Sequence, residues 1–257
     1  MLFPLSSKIR PAAETRDRDA FDVRPSTTLP PKLAPSQSAK RLIQLLPEAD
    51  RVLIVGSTGD GKSTVAKHIV EDFQPCRLLI CDSKGEIKWP GAVLVQTPEQ
   101  ITQALSNQQT IRWVPATFEK KYLEECWKAI HAARGPLIVW IDEAAEHCKP
   151  GWCPTGMRLD ITQGRSGDSS CGPRLVITCT QRLAECHPAV RTQAEHIMVM
   201  TPPPAEIDLK AIAAHVRRSP QQLEAELQQL YDRYGRYSHL WYCKLENDMR
   251  NMAPIPL

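Results

Sequence analysis

An α/β fold, with a mostly parallel sheet covered by helices on both faces, is the architecture this sequence predicts. Three observations carry it. Strand-like runs alternate with helical patterns from residue 51 to residue 200, the rhythm of successive βαβ units. Several of these runs are continuously apolar, Leu137-Ile138-Val139-Trp140-Ile141 above all, as strands buried on both faces must be. The glycine-containing segment 56–63 then joins an apolar run to a helix-compatible stretch, giving strand, loop and helix in one unit.

Taken in order, strands are expected at 51–56, 77–81, 92–95, 110–114, 137–142, 174–180 and 195–200. The intervening helices are expected at 62–73, 99–108 and 119–134. This delimits a core domain of 48–201, after which Pro202-Pro203-Pro204 interrupts the chain. The extension, 202–257, begins with a helical face at Leu209, Ile212, Ala213 and Val216. Ser219 and Pro220 then read as an N-cap and a helix-starting proline, with Leu223, Leu227 and Leu230 lining the helix that follows. Leu240-Trp241-Tyr242-Cys243 adds a short strand. Tyr231, Tyr234 and Tyr237 allow base stacking, but packing against the helical pair is the simpler expectation.

Ahead of the core lies an arm, 1–47, with seven prolines and eight Lys/Arg against four Asp/Glu. Its composition suits an extended segment that binds a neighbouring subunit, a membrane-associated partner or DNA, or a solvated tail. The whole chain carries a net charge of only +3, so composition alone does not argue for nucleic acid. Apolar runs of about five to seven residues are too short to span a membrane, and Met1 to Leu5 is too short for a signal peptide. The nine cysteines are scattered and odd in number, which favours reduced, mostly buried thiols. His147, Cys148 and Cys153, with Cys171, Cys186 or His187, match no compact zinc template, and ordinary packing is expected of them.

Gly56-Ser57-Thr58-Gly59-Asp60-Gly61-Lys62-Ser63 fills every position of the phosphate-binding loop G-x-x-x-x-G-K-[ST], the Walker A pattern. Its glycines let backbone N–H groups converge on an anion, and the helix beginning at Lys62 adds unpaired donors. Lys62 would reach the β- and γ-phosphates of ATP, and Ser63 would hold Mg²⁺, with Thr64 completing the segment. Asp142 and Glu143, at the carboxyl end of the 137–142 strand, form the second acidic half of such a site, as in Walker B. Asp142 would support Mg²⁺, and Glu143 would accept a proton from attacking water. A third polar strand end, Thr180-Gln181-Arg182, offers Gln181 to sense the γ-phosphate or align water, and Arg182 to report that state outward. Arg165 is the first candidate for an arginine supplied across a subunit interface, with Arg158, Arg174 and Arg191 as alternatives.

The ordered set GSTGDGKST (56–64), LIVWIDEA (137–144), QGRSG (163–167) and VITCTQRLAECHPAVRTQAEHIMVM (176–200) resembles the FtsK–HerA superfamily of DNA-pumping ATPases. The segment Asp208 to Ala213 is similar to what often follows, and the resemblance covers about 48–216. The phosphate loop is widespread; the Thr-Gln-Arg strand end in this order is the discriminating part. Leu183 departs from the proline often found there. The resemblance implies a RecA-like P-loop core and a homo-oligomeric, commonly hexameric ring that couples ATP hydrolysis to translocation of double-stranded DNA. It implies nucleotide roles for Lys62 and Ser63, metal and water roles for Asp142 and Glu143, and a sensor role for Gln181.

Among such proteins, a compact chain without a membrane segment is most similar to the genome-packaging ATPases of internal-membrane icosahedral viruses. That implies work at a virion packaging vertex or in host cytoplasm, with capsid vertex or viral membrane proteins as partners. DNA would meet either the loop holding Lys84, Lys88 and Trp89 or the stretch holding Arg165, Ser166, Ser169, Ser170 and Arg174. The competing readings are a virion assembly or secretion ATPase acting on protein, then a small-molecule kinase, then a non-hydrolysing nucleotide switch. The missing membrane segment speaks against the first, and Glu143 as a water base is superfluous in the second. The third leaves the Asp142-Glu143-Gln181 set without a purpose.

Overall fold

The computed structural model describes residues 51–72, 77–163 and 174–255. Within them one nine-stranded sheet runs through the molecule. The strands are β1 (Arg51–Val55), β2 (Leu78–Asp82), β3 (Val93–Val95), β4 (Ile111–Trp113), β5 (Leu137–Asp142), β6 (Arg174–Thr180), β7 (His196–Met200), β8 (His239–Cys243) and β9 (Asp248–Met252). Their spatial order is β3-β4-β2-β5-β6-β1-β7-β8-β9, parallel from β3 to β7 and antiparallel for β8 and β9.

Eight α-helices join them among the described residues: α1 (Lys62–Asp72), α2 (Pro98–Ser106), α3 (Lys120–His131), α4 (Ala144–His147), α5 (Thr155–Gln163), α6 (Pro188–Thr192), α7 (Glu206–Ala213) and α8 (Pro220–Tyr234). Two of them start on complete capping boxes. Thr97 and Gln100 open α2, and Ser219 and Gln222, with Pro220 in the first turn, open α8.

Strand alternation sorts the core into two layers. Leu53, Val55, Leu79, Val139 and Ile141 face the layer filled by apolar side chains of α2 to α8, including the fully buried Trp127. Val52, Ile54, Ile80, Ile138 and Trp140 face the other side, where α1 supplies Val65, Ala66, Ile69 and Val70. Among the described residues, α1 is the one helix on that face; Ile87, Trp89, Met252 and Ile255 complete its cover. Every residue of β1 is buried, and truncating one such as Leu53 to alanine costs about 2–5 kcal/mol.

The expected elements of the core occur within a residue or so of their anticipated ends, apart from α2 and α3, whose last turns stop sooner. Beyond Pro202 the expected helical face is buried at Leu209, Ile212, Ala213 and Val216, and the next at Leu223, Leu227 and Leu230. The final strand is β8, and the structure adds β9 beside it. Both extend the same sheet as the core rather than standing apart from it. No helix among the described residues is long and apolar enough to cross a membrane. The N-terminal arm lies outside the described residues.

Candidate nucleotide site

The parallel register brings the carboxyl ends of β1, β6, β5 and β2 to one edge, with Val55 beside Thr180 and Asp82 beside Asp142. β6 lies between the strand that leads into the phosphate loop and the strand that carries the acidic pair. Gly56, Gln181 and Glu143 each directly follow one of these strands, so the three sequence segments converge on one edge.

The loop itself is tightly built. Asp60 Oδ2 accepts from the Ser57 backbone N–H at 2.6 Å, closing the loop on itself. Gly61 has φ +87°, a left-handed conformation that favours glycine. A Cβ on Gly56 would stand 2.6 Å from the Met200 Cβ, so only glycine lets the loop leave β1 so close to β7. Lys62 is buried, and its Nζ donates to the carbonyls of Gly56 at 2.9 Å and Ser57 at 2.8 Å. Burial lowers its pKa, against the opposing pull of Cys179, Glu143, Asp60 and Asp142.

Ser63 Oγ donates to Asp142 Oδ1 at 3.0 Å. Burial raises the Asp142 pKa, and the Ser63 hydrogen bond works against this, while the nearby Asp82 and Glu143 carboxylates raise it further. A hydroxyl and a carboxylate meeting in a half-buried acidic corner form an oxygen donor set of the kind Mg²⁺ takes, and the cation would relieve that charge. The residues therefore fit the nucleotide and its metal.

Glu143 is buried and left-handed, with φ +63° and ψ +72°, a strained conformation for a side chain of this size. Thr180 Oγ1 donates to its Oε1 at 2.9 Å, and the Gln181 N–H donates to the same oxygen at 3.2 Å. These two bonds hold the carboxylate at the end of β6. Gln181 reaches the phosphate loop, its Oε1 accepting from Thr58 Oγ1 at 2.7 Å. Arg182 is half-exposed and pairs with Glu146 at 2.9 Å and Glu185 at 3.1 Å.

The other candidates fare differently. Arg165 and the polar stretch around it lie outside the described residues. Arg174 does not belong with them: it is buried at the opposite end of β6, where Nη1 donates to the Gly135 carbonyl at 2.6 Å and Nη2 to the Ala133 carbonyl, with Asp160 alongside. A residue held there cannot reach a nucleotide or line a pore. Arg158 is exposed on α5, and Arg191 sits on α6 close to His215. In the 84–89 loop, Lys84 and Lys88 are exposed, whereas Trp89 packs edge-on against Trp140 at 6.4 Å and is committed to the core. Among the described residues, no group of three His, Cys, Asp or Glu side chains has the geometry to hold a metal ion.

Sequence reasoning missed the second flank of the loop. The turn after α8 lies over it: Arg236 Nη2 donates to Asp60 Oδ1 at 3.2 Å and to the Thr58 carbonyl at 3.3 Å. The neighbouring Tyr237, also left-handed, places its ring 3.0 Å from where a Gly61 Cβ would be. Thr201 fixes this turn, its Oγ1 donating to the Ser238 carbonyl at 3.0 Å and to that of Gly235 at 3.2 Å. Beside the loop, Gly61, Thr64, Val65, Met200, Tyr237 and Ile255 line an apolar recess. Apart from the run of tyrosines, nothing near residue 236 signals this role. The contact with Asp60 spans 176 residues of chain.

No protein-family model matches the sequence. No curated protein is significantly similar to it either. Solved structures are similar in fold. The genome packaging NTPase B204 from Sulfolobus turreted icosahedral virus 2, in complex with sulfate, superposes with a TM-score of 0.64 at 20% identity, covering 81% of this chain and 98% of that one. Its complex with ATP-gammaS gives 0.61 at 20% identity, over 82% of this chain and all of that one. The bacterial conjugative coupling protein TrwBdeltaN70 gives 0.52 at 10% identity, over 82% and 86%. At such identities the likeness shows a shared fold: an α/β fold common to these proteins and this chain.

Proposed function

We propose that this chain is a Mg²⁺-dependent ATPase of the FtsK–HerA superfamily that moves double-stranded DNA, packaging a viral genome into a preformed capsid. The observation that carries the reading is the convergence of Lys62, Ser63–Asp142, Glu143 and Gln181 on one sheet edge. The fold shared with a genome packaging NTPase, one crystallised with ATP-gammaS, supports it.

In this reading the loop N–H groups and the start of α1 receive the phosphates, and Lys62 exchanges its loop carbonyls for phosphate oxygens. Mg²⁺, held through Ser63 and Asp142, would neutralise charge on the β- and γ-phosphate oxygens. Thr180 and the Gln181 N–H both bond Glu143 Oε1, which leaves Oε2 to take the proton of the attacking water. The Gln181 side chain, now on Thr58, would sense whether a γ-phosphate is in place. The partly exposed Tyr237 ring, beside Gly61, would offer the nucleotide an apolar surface to lie against.

Arg165 from a neighbouring subunit of a homo-oligomeric ring, hexameric by resemblance, would supply the remaining cation. The N-terminal arm, or the exposed Lys84 and Lys88, would meet DNA or partners at a capsid vertex or viral membrane. The test is ATP turnover by the assembled protein with and without double-stranded DNA. Strong stimulation by DNA is expected. An assembled ring that hydrolyses ATP at the same rate with and without DNA would favour the protein-directed assembly reading instead.

A further inference from the structure

A thiol pair lies in the hairpin that follows α4, which the nucleotide chemistry does not use. α4 ends at Cys148, whose backbone is extended with φ −143° and ψ 147°. Lys149 and Trp152 then form an isolated antiparallel bridge around the turn Pro150-Gly151. The Lys149 N–H donates to the Trp152 carbonyl at 2.7 Å, and the Trp152 N–H returns to Lys149 at 3.0 Å. In an antiparallel ladder the next pair outward from such a doubly bonded pair is not hydrogen-bonded, and its Cα atoms stand ~4.5 Å apart with side chains on one face. Here that pair is Cys148 and Cys153. A Cα separation of ~4.5 Å falls inside the range a disulfide spans.

The thiols are free, Cys148 buried and Cys153 partly exposed. They already touch. Contact with Cys153, with burial assisting, pushes the Cys148 pKa up to about 12 against the opposing effect of Cys186. Cys186, which also interacts with Cys148, stands 3.5 Å from Thr180 Oγ1, the hydroxyl that donates to Glu143.

We propose that Cys148 and Cys153 are an oxidisable pair that closes a disulfide across the Lys149–Trp152 hairpin, with a low-molecular-weight disulfide as oxidant. The Cys153 thiolate attacks one sulfur of the small disulfide, forming a mixed disulfide and expelling one small thiolate. The Cys148 thiolate then attacks the Cys153 sulfur, and the second small thiolate leaves. Two protein thiols are oxidised to one disulfide, the small disulfide is reduced to two thiols, and the two protons pass to them. Cys148 needs no solvent access, because its partner is its cross-strand neighbour. The loop closed is only six residues from Cys148 to Cys153, so the bond constrains the unfolded chain little and is readily reversed, as a switch rather than a staple.

The test is to titrate the full-length protein with oxidised glutathione, block remaining thiols by alkylation and map the peptides by mass spectrometry. A Cys148–Cys153 linked peptide is expected as the first disulfide, lost again on adding dithiothreitol. Cys153→Ser, with an unchanged far-ultraviolet dichroism spectrum, should leave Cys148 alkylated after the same titration. Recovery of both Cys148 and Cys153 as alkylated thiols, a lasting glutathione adduct on Cys153, or a Cys148–Cys186 link would each overturn the proposal. None of these readouts depends on ATP hydrolysis.

Discussion

The phosphate loop is held from two sides, and the two sides are made of different chemistry. On the β6 side Gln181 meets Thr58, and Glu143 is fixed by Thr180 and the Gln181 N–H. On the β8 side Arg236 bonds Asp60 and the Thr58 carbonyl, and Tyr237 covers Gly61. In the proposed reading the first flank points groups at the place where bonds change. The second touches only the loop and the recess beside it, so in that reading it acts on binding alone. Catalysis and binding are therefore expected to separate along the two flanks.

Substitutions on either flank test that division. Lys62 belongs to both, and Lys62→Ala should lower ATP turnover by more than about 100-fold and weaken nucleotide binding with it, read by steady-state kinetics and calorimetry. Gln181→Ala should cost at least about tenfold in turnover while leaving affinity near its original value. Arg236→Ala should do the reverse: affinity falls about fivefold, and the fold loses ~1 kcal/mol because the buried Asp60 gives up a half-exposed partner. Thermal unfolding with and without nucleotide separates these two effects. Tyr237→Asn keeps a residue that tolerates a left-handed backbone while removing the ring, and should weaken binding about threefold. If Arg236→Ala instead abolished turnover at saturating ATP, the two flanks would not be distinct.

The same contrast explains what could be read from the chain. Asp142 and Glu143 were visible because they follow a continuous apolar strand, and strand ends of one parallel sheet share one edge. Gln181 was visible for the same reason. Arg236 was not, because its partner is remote in sequence and its position depends on β8 folding back beside β7. β9 was missed because just one of its five residues is buried, so no alternation marks it. Arg174 misled in the opposite way: near a polar stretch it read as a surface or interface arginine, yet carbonyls at the far end of β6 claim its guanidinium. Periodicity identifies which face of an element is buried; it does not identify which loop closes over which.

The proposed hydrolysis rests on Glu143 as the base. Glu143→Gln keeps the size and the Oε1 acceptor for Thr180 and Gln181 but removes the base, so ATP affinity and ATP turnover should be measured side by side on this variant and the unmodified protein. Affinity within about twofold, with turnover lower by about 100-fold or more, is the predicted result. Equal turnover in the two proteins would exclude Glu143 as the base.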